Sequence, residues 1–158
     1  MSNLPESKKW DMRNKCISRF INDRYYLSNS YPSPLMYEGI IFPNVECAFQ
    51  AAKTMDKEKR LIMSYTINPS VSKQDGRAIR SIRKDWEEVK YDIMKTLVLR
   101  KFRISVLQRA LLATGKQTLI EGNTWGNSTW GTSTQGYGKN WLGIILMEVR
   151  DFYKEMNS

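Results

Sequence analysis

The sequence predicts an α+β fold, a mainly helical single domain with a small β-hairpin or sheet. Apolar residues recur at helical spacing through Trp86, Val89, Ile93, Met94 and Leu97, and again through Leu142, Ile145, Leu146, Val149 and Phe152. Two short apolar runs, Leu35-Met36-Tyr37 and Ile40-Ile41-Phe42, flank Glu38-Gly39 in the manner of a tight hairpin. Five of the nine glycines fall between positions 122 and 138, where neither a helix nor a central strand favours them, so an ordered loop is expected there. With 158 residues, 41% of them hydrophobic, the chain can build one ordinary core but is short for two domains.

Residues 1–15 are polar and charged and are expected to be flexible or loosely packed, with the domain occupying 16–158. A strand is expected around Cys16–Tyr26, then an ordered loop through Leu27–Pro34, where small polar residues and prolines cluster. After the hairpin, Pro43 ends the strand because it has no amide to donate. Asn44 is placed to cap a helix whose residues Glu46, Phe49, Gln50 and Lys53 share one face. A short helix follows near 57–65, and another after Asn68-Pro69, capped by Ser70. Asp85 and Glu88 have capping-box spacing ahead of a long helix ending near Phe102. Ser105 starts a helix to Thr114 with Gly115 as its stop, and a final helix spans Asn140 to Lys154.

The chain has no histidine, which excludes a histidine-dependent triad, a histidine zinc site and the usual near-neutral proton shuttle. A general acid or base must then be a carboxylate, lysine, tyrosine or cysteine. Cys16 and Cys47 make no disulfide framework, no apolar run reaches 18 residues, and the start lacks a signal-peptide pattern. A cytoplasmic or otherwise intracellular protein, with no membrane partner, is the simplest reading. The net charge of +9 suits anionic ligands and makes nucleic acid a possible partner without identifying it.

Glu46 is the first candidate for chemistry, since it brings a carboxylate among apolar and small neighbours; the alternative is that it only complements the helix dipole. Downstream, Glu121-Gly122-Asn123-Thr124-Trp125-Gly126-Asn127 and Trp130-Gly131 form a second polar and aromatic cluster. Trp125 and Trp130 either stack on a heteroaromatic ring or pin the loop to the core.

In order and spacing, the motifs resemble the NADAR, or YbiA-like, family. They are Tyr26-Leu27-Ser28-Asn29, Tyr31-Pro32-Ser33, Pro43-Asn44-Val45-Glu46, Phe49-Gln50-Ala51-Ala52-Lys53 and Gly76-Arg77, followed by Asp85-Trp86, Lys101-Phe102, Leu111 to Gly115, Glu121 to Gly126, Trp130-Gly131 and Asn140-Trp141-Leu142-Gly143. The resemblance covers roughly residues 17 to 153. It implies a YbiA-like fold without metal or redox cofactor and an N-glycosidase that hydrolyses the bond between a base-like amine and ribose. The substrates implied are phosphorylated ribosylaminopyrimidines of riboflavin biosynthesis or ADP-ribosylated guanine. Two positions depart from the pattern: Cys47 stands where many relatives have histidine, and Asn127 where many have aspartate.

On this resemblance Glu46 and, secondarily, Glu121 are the catalytic candidates. Asn29, Gln50, Asn123 and Asn127 are expected to bond the base or ribose, Trp125 and Trp130 to pack on the base, and Lys53 or Arg77 to hold the 5′-phosphate. The alternative class is a noncatalytic binder of ADP-ribose, another nucleotide or nucleic acid, with Asn127 marking lost hydrolysis.

Overall fold

The computed structural model describes residues 3–158, so the first two residues of the segment expected to be loose, 1–15, lie outside it. The elements in chain order are β1 (Lys8–Lys9), β2 (Cys16–Ile17), a 3-10 helix (Asn22–Leu27), β3 (Leu35–Tyr37), β4 (Ile40–Phe42), α1 (Val45–Ala51), α2 (Lys57–Met63), α3 (Pro69–Ala78), α4 (Trp86–Lys101), α5 (Ser105–Ala113), β5 (Thr118–Leu119), β6 (Tyr137–Gly138) and α6 (Trp141–Met156). The fold is α+β and mostly helical, as the sequence predicts. Among the described residues, 29–104 form one compact unit, and 3–28 with 105–158 form the other.

In the 29–104 unit, β3 and β4 pair antiparallel with Tyr37 opposite Ile40. Glu38 and Gly39 both have positive φ, 45° and 82°, the two-residue turn whose twist matches a hairpin. Glu38 accepts this conformation with its carboxylate paired to the buried Arg60 guanidinium. The hairpin delivers the chain to α1, where Asn44 caps as expected: its Oδ1 accepts from Cys47 N at 2.8 Å, and its Nδ2 donates to Ile67 O at 3.1 Å. Helix α1 packs against α2, α3 and α4, and Phe49 lies against Trp86 of α4 with ring centroids 5.0 Å apart.

Two helix starts differ from expectation. Asn68, not Ser70, caps α3, accepting from Ser70 N at 2.9 Å with Pro69 at the first helical position. Proline's fixed φ suits that position, which moves the cap one step upstream. Asp85 precedes α4 but makes no side-chain cap. Its two oxygens instead take Arg83 Nε and Nη2 at 2.6 and 2.9 Å, a bidentate pair that outcompetes a single amide.

In the other unit, β2 pairs with β5 in parallel, and β1 pairs with β6 antiparallel with Lys9 opposite Tyr137. The strand expected over Cys16–Tyr26 is confined to Cys16–Ile17, and the 3-10 helix takes residues 22–27. Tyr26 Oη reaches Ala110 O on α5 at 3.1 Å. Helix α5 ends ahead of Gly115, whose φ of +63° turns the chain. Arg150 of α6 donates to Thr114 Oγ1 and Gln117 O at that turn.

On α6, Leu142, Ile145, Leu146 and Val149 are buried as expected, but Phe152 is 46% exposed and Tyr153 is buried in its place. Tyr153 falls four residues after Val149 and seven after Leu146, at the centre of the apolar stripe, whereas Phe152 falls at its edge. No helix among the described residues is long and apolar enough to cross a membrane.

Candidate active site

The sequence-predicted residues fall into two groups, one in each unit. In the 29–104 unit, Glu46 is 7% exposed at the second position of α1. One turn later Gln50, also buried, donates from Nε2 to Glu46 Oε1 at 2.9 Å. The backbone N–H of Glu46 donates to Asn29 O at 3.1 Å, so the loop carrying Asn29 is tied to the start of α1. Asn29 Nδ2 faces Met94 Sδ at 3.4 Å, while its Oδ1 is buried with no hydrogen-bond partner among the described residues.

Helix α1 stops at Ala51, which places Lys53 in the turn beyond it, its N–H on Gln50 O and its carbonyl accepting from Arg83 N. Burial pushes the Lys53 ammonium below its ordinary value, the Glu46 carboxylate pulls it back up, and the Arg77 and Lys90 cations press it down further. Glu46, Arg77 and Lys90 are thus the charged groups that act on Lys53, one carboxylate and two cations, and Lys90 is itself ion-paired to Glu87. Such a cluster can hold an anionic group beside a fixed negative charge.

Lys90 is absent from the sequence-level candidates. Its position four residues after Trp86 is the available signal, since Trp86 meets Phe49 and the next turn of α4 rises from the same face.

Cys47 is wholly buried and its S–H donates to Met63 O at 3.1 Å. Burial raises its thiol above the usual range, so this position packs α1 and offers no nucleophile at neutral pH.

In the other unit, the glycine-rich loop is ordered by its own amides. Asn123 is buried; its Oδ1 accepts from Asn127 N at 3.1 Å and its Nδ2 donates to Asn127 O at 2.9 Å. Asn127 Oδ1 in turn accepts from Trp130 N at 3.0 Å. An aspartate oxygen would serve there equally, so the loop geometry does not depend on which of the two residues is present.

Asn140 adopts a left-handed conformation and bridges two segments, with Oδ1 on Glu121 N at 2.9 Å and Nδ2 on Leu119 O at 2.9 Å. Glu121 is half-buried, and its carbonyl accepts from Thr132 N at 2.8 Å. The Trp130 ring meets Trp141 edge to face at 5.4 Å. Trp125 is 65% exposed between Thr124 and Gly126, which line a cavity of about 300 Å³ with Asn123, Asn127, Ser128 and Tyr137. The loop thus binds Asn123, Asn127 and Trp130 into one network and leaves the Trp125 indole at the surface.

A family model of the NADAR domain matches residues 7–153. The chain is 36% identical over 126 residues to N-glycosidase YbiA of Escherichia coli, covering 78% of each protein. It is 31% identical over 137 residues to an N-glycosidase of Nostoc punctiforme, covering 83% of this chain and 86% of that one. A riboflavin biosynthesis protein of Vibrio vulnificus is 31% identical over 139 residues, 82% of this chain and 36% of that longer protein. The NMR structure of Escherichia coli YbiA superposes with a TM-score of 0.77 over 92% of each chain at 30% identity. With the family model spanning all but the two ends, the chain belongs to the NADAR family.

Proposed function

We propose that the protein is an N-glycosidase that hydrolyses the bond between a base or base-like amine and the ribose of a phosphorylated riboside, with Glu46 as its catalytic carboxylate. The observation that carries this reading is the buried Glu46 carboxylate, held by Gln50 and near enough to Lys53 to act on its ammonium. Its support beyond the geometry is the likeness to proteins named N-glycosidases and, in one case, a riboflavin biosynthesis protein.

As the carbon–nitrogen bond breaks, its electron pair leaves with the amine and positive charge grows on the ribose ring. A fixed carboxylate stabilises that charge more than it stabilises the neutral sugar, which lowers the barrier. Water then bonds to C1′; Glu46 is the group positioned to take its proton, while the departing nitrogen gains one. Lys53 and Arg77 supply charge-assisted bonds to the 5′-phosphate. A second catalytic carboxylate is less required here, because an electron-poor base is already a tolerable leaving group.

The noncatalytic alternative rested on Asn127, and the hydrogen bond from Trp130 N gives that side chain a loop-forming role independent of charge. The test is mass-spectrometric detection of free base and ribosyl product after separate incubation with ribosylaminopyrimidine phosphate, NAD, ADP-ribose and guanine-linked ADP-ribosyl DNA. Release from one of these by the wild type fixes the substrate branch. Binding without release from any of them would replace the enzyme by the binder.

A further inference from the structure

Gly76 lies inside α3, where glycine costs stability and no unusual backbone angle requires it. A Cβ built at this position would stand 1.9 Å from Gln50 Oε1, 2.8 Å from Gln50 Cδ and 3.1 Å from Gln50 Cβ. Only hydrogen fits there. The glycine Cα–H that replaces the Cβ therefore points at Gln50 Oε1, a buried oxygen with no hydrogen-bond partner among the described residues. The other end of the same amide donates to Glu46 Oε1 at 2.9 Å. With its oxygen against the Gly76 backbone, the amide has one orientation that avoids placing two acceptors face to face, and that orientation aims Nε2 at the carboxylate.

We propose that Gln50 and Gly76 are positioning residues for Glu46: Gly76 provides the space that seats the Gln50 amide, and the amide fixes the rotamer of the carboxylate. Gln50 is thereby assigned away from direct contact with base or ribose, because its Nε2 is committed to Glu46 and its Oε1 is turned onto the Gly76 backbone. The inference rests on the reading of Glu46 as the catalytic group. It goes beyond that reading by locating its support on a separate helix, α3.

The experiment compares kcat and KM, on the riboside that the wild type cleaves, for Gln50→Met, Gly76→Ala, Gln50→Ala and the Gly76→Ala/Gln50→Ala pair. Gln50→Met keeps the side-chain length and the packing but donates nothing. It is expected to lower kcat by about 10- to 100-fold, the worth of a hydrogen bond to a charged group, with KM changed less than about twofold. Gly76→Ala is expected to lower kcat similarly by evicting the amide. In the Gln50→Ala background it should cost almost nothing further, since the remaining 3.1 Å approach closes with a small shift.

Thermal unfolding of each variant separates folding from positioning. If Gly76→Ala does not fold, Gln50→Met still decides. Wild-type kcat in folded Gln50→Met would overturn the proposal, as would a loss confined to KM, the mark of a substrate contact. Glu46→Gln, run alongside, separates the two readings: if it is inactive while Gln50→Met is fully active, Glu46 stands and only its positioning by Gln50 falls.

Discussion

Burial holds the Lys53 ammonium below its ordinary value of 10.5, and the neighbouring Glu46 carboxylate offsets only part of that effect. Because the folded chain binds this proton less tightly than the unfolded one, stability rises with pH as it passes from the lowered folded value up to 10.5. Below that window the penalty is fully present; above it the penalty is gone. Lys53→Met is expected to raise the thermal midpoint at pH 7, with the gain shrinking as the buffer approaches 10.5. The same variant should raise KM for the phosphorylated riboside about 10-fold through the lost charge-assisted bond. A midpoint gain that does not change with pH would separate the stability effect from the ammonium.

Asn127 yields the opposite kind of prediction: with its Oδ1 on Trp130 N, Asn127→Asp should leave urea stability within about 0.5 kcal/mol of wild type, and Asn127→Ala should lose about 1 kcal/mol. At this scale the sequence singled out Glu46, Asn123 and Asn127 as candidates because motif and residue chemistry agree. It did not reveal why Gly76 is glycine, since the answer lies on Gln50 of another helix.

Among the elements, α1 is seven residues long, too short to be stable by propensity, and depends on its cap and its packing. Asn44 is 2% exposed and serves two roles, capping Cys47 N and satisfying Ile67 O. Asn44→Ala removes the cap and strands a carbonyl, so urea denaturation should show a loss of about 2–3 kcal/mol, more than a surface cap is worth.

The hairpin and the α1 cap were readable because both are decided within a few neighbouring residues. The β1–β6 and β2–β5 pairs were not, because each is two residues long and joins segments from opposite ends of the sequence. Asp85 shows a local signal overridden: the spacing was right for a capping box, but Arg83 took both carboxylate oxygens.

For the molecule as a whole, the formal charge of +9 favours approach of an anionic substrate, and that contribution is screened by salt. Raising ionic strength from about 0.1 M to about 1 M shortens the screening length from about 10 Å to about 3 Å. KM for the phosphorylated riboside should therefore rise with salt, while KM for its dephosphorylated counterpart should stay flat; equal dependence for both would remove phosphate capture from the account. The α+β class was readable from periodicity and glycine placement, whereas membership of the NADAR family came through motif order across nearly the whole chain.

The most direct measurement is the rate of free-base release by wild type and Glu46→Gln on the riboside that binds most tightly, with binding measured on the same samples. Loss of the carboxylate charge should slow release by about 100-fold or more while binding changes only a few-fold, because that charge acts chiefly in the transition state. Release by Glu46→Gln at the wild-type rate would contradict the assignment of Glu46.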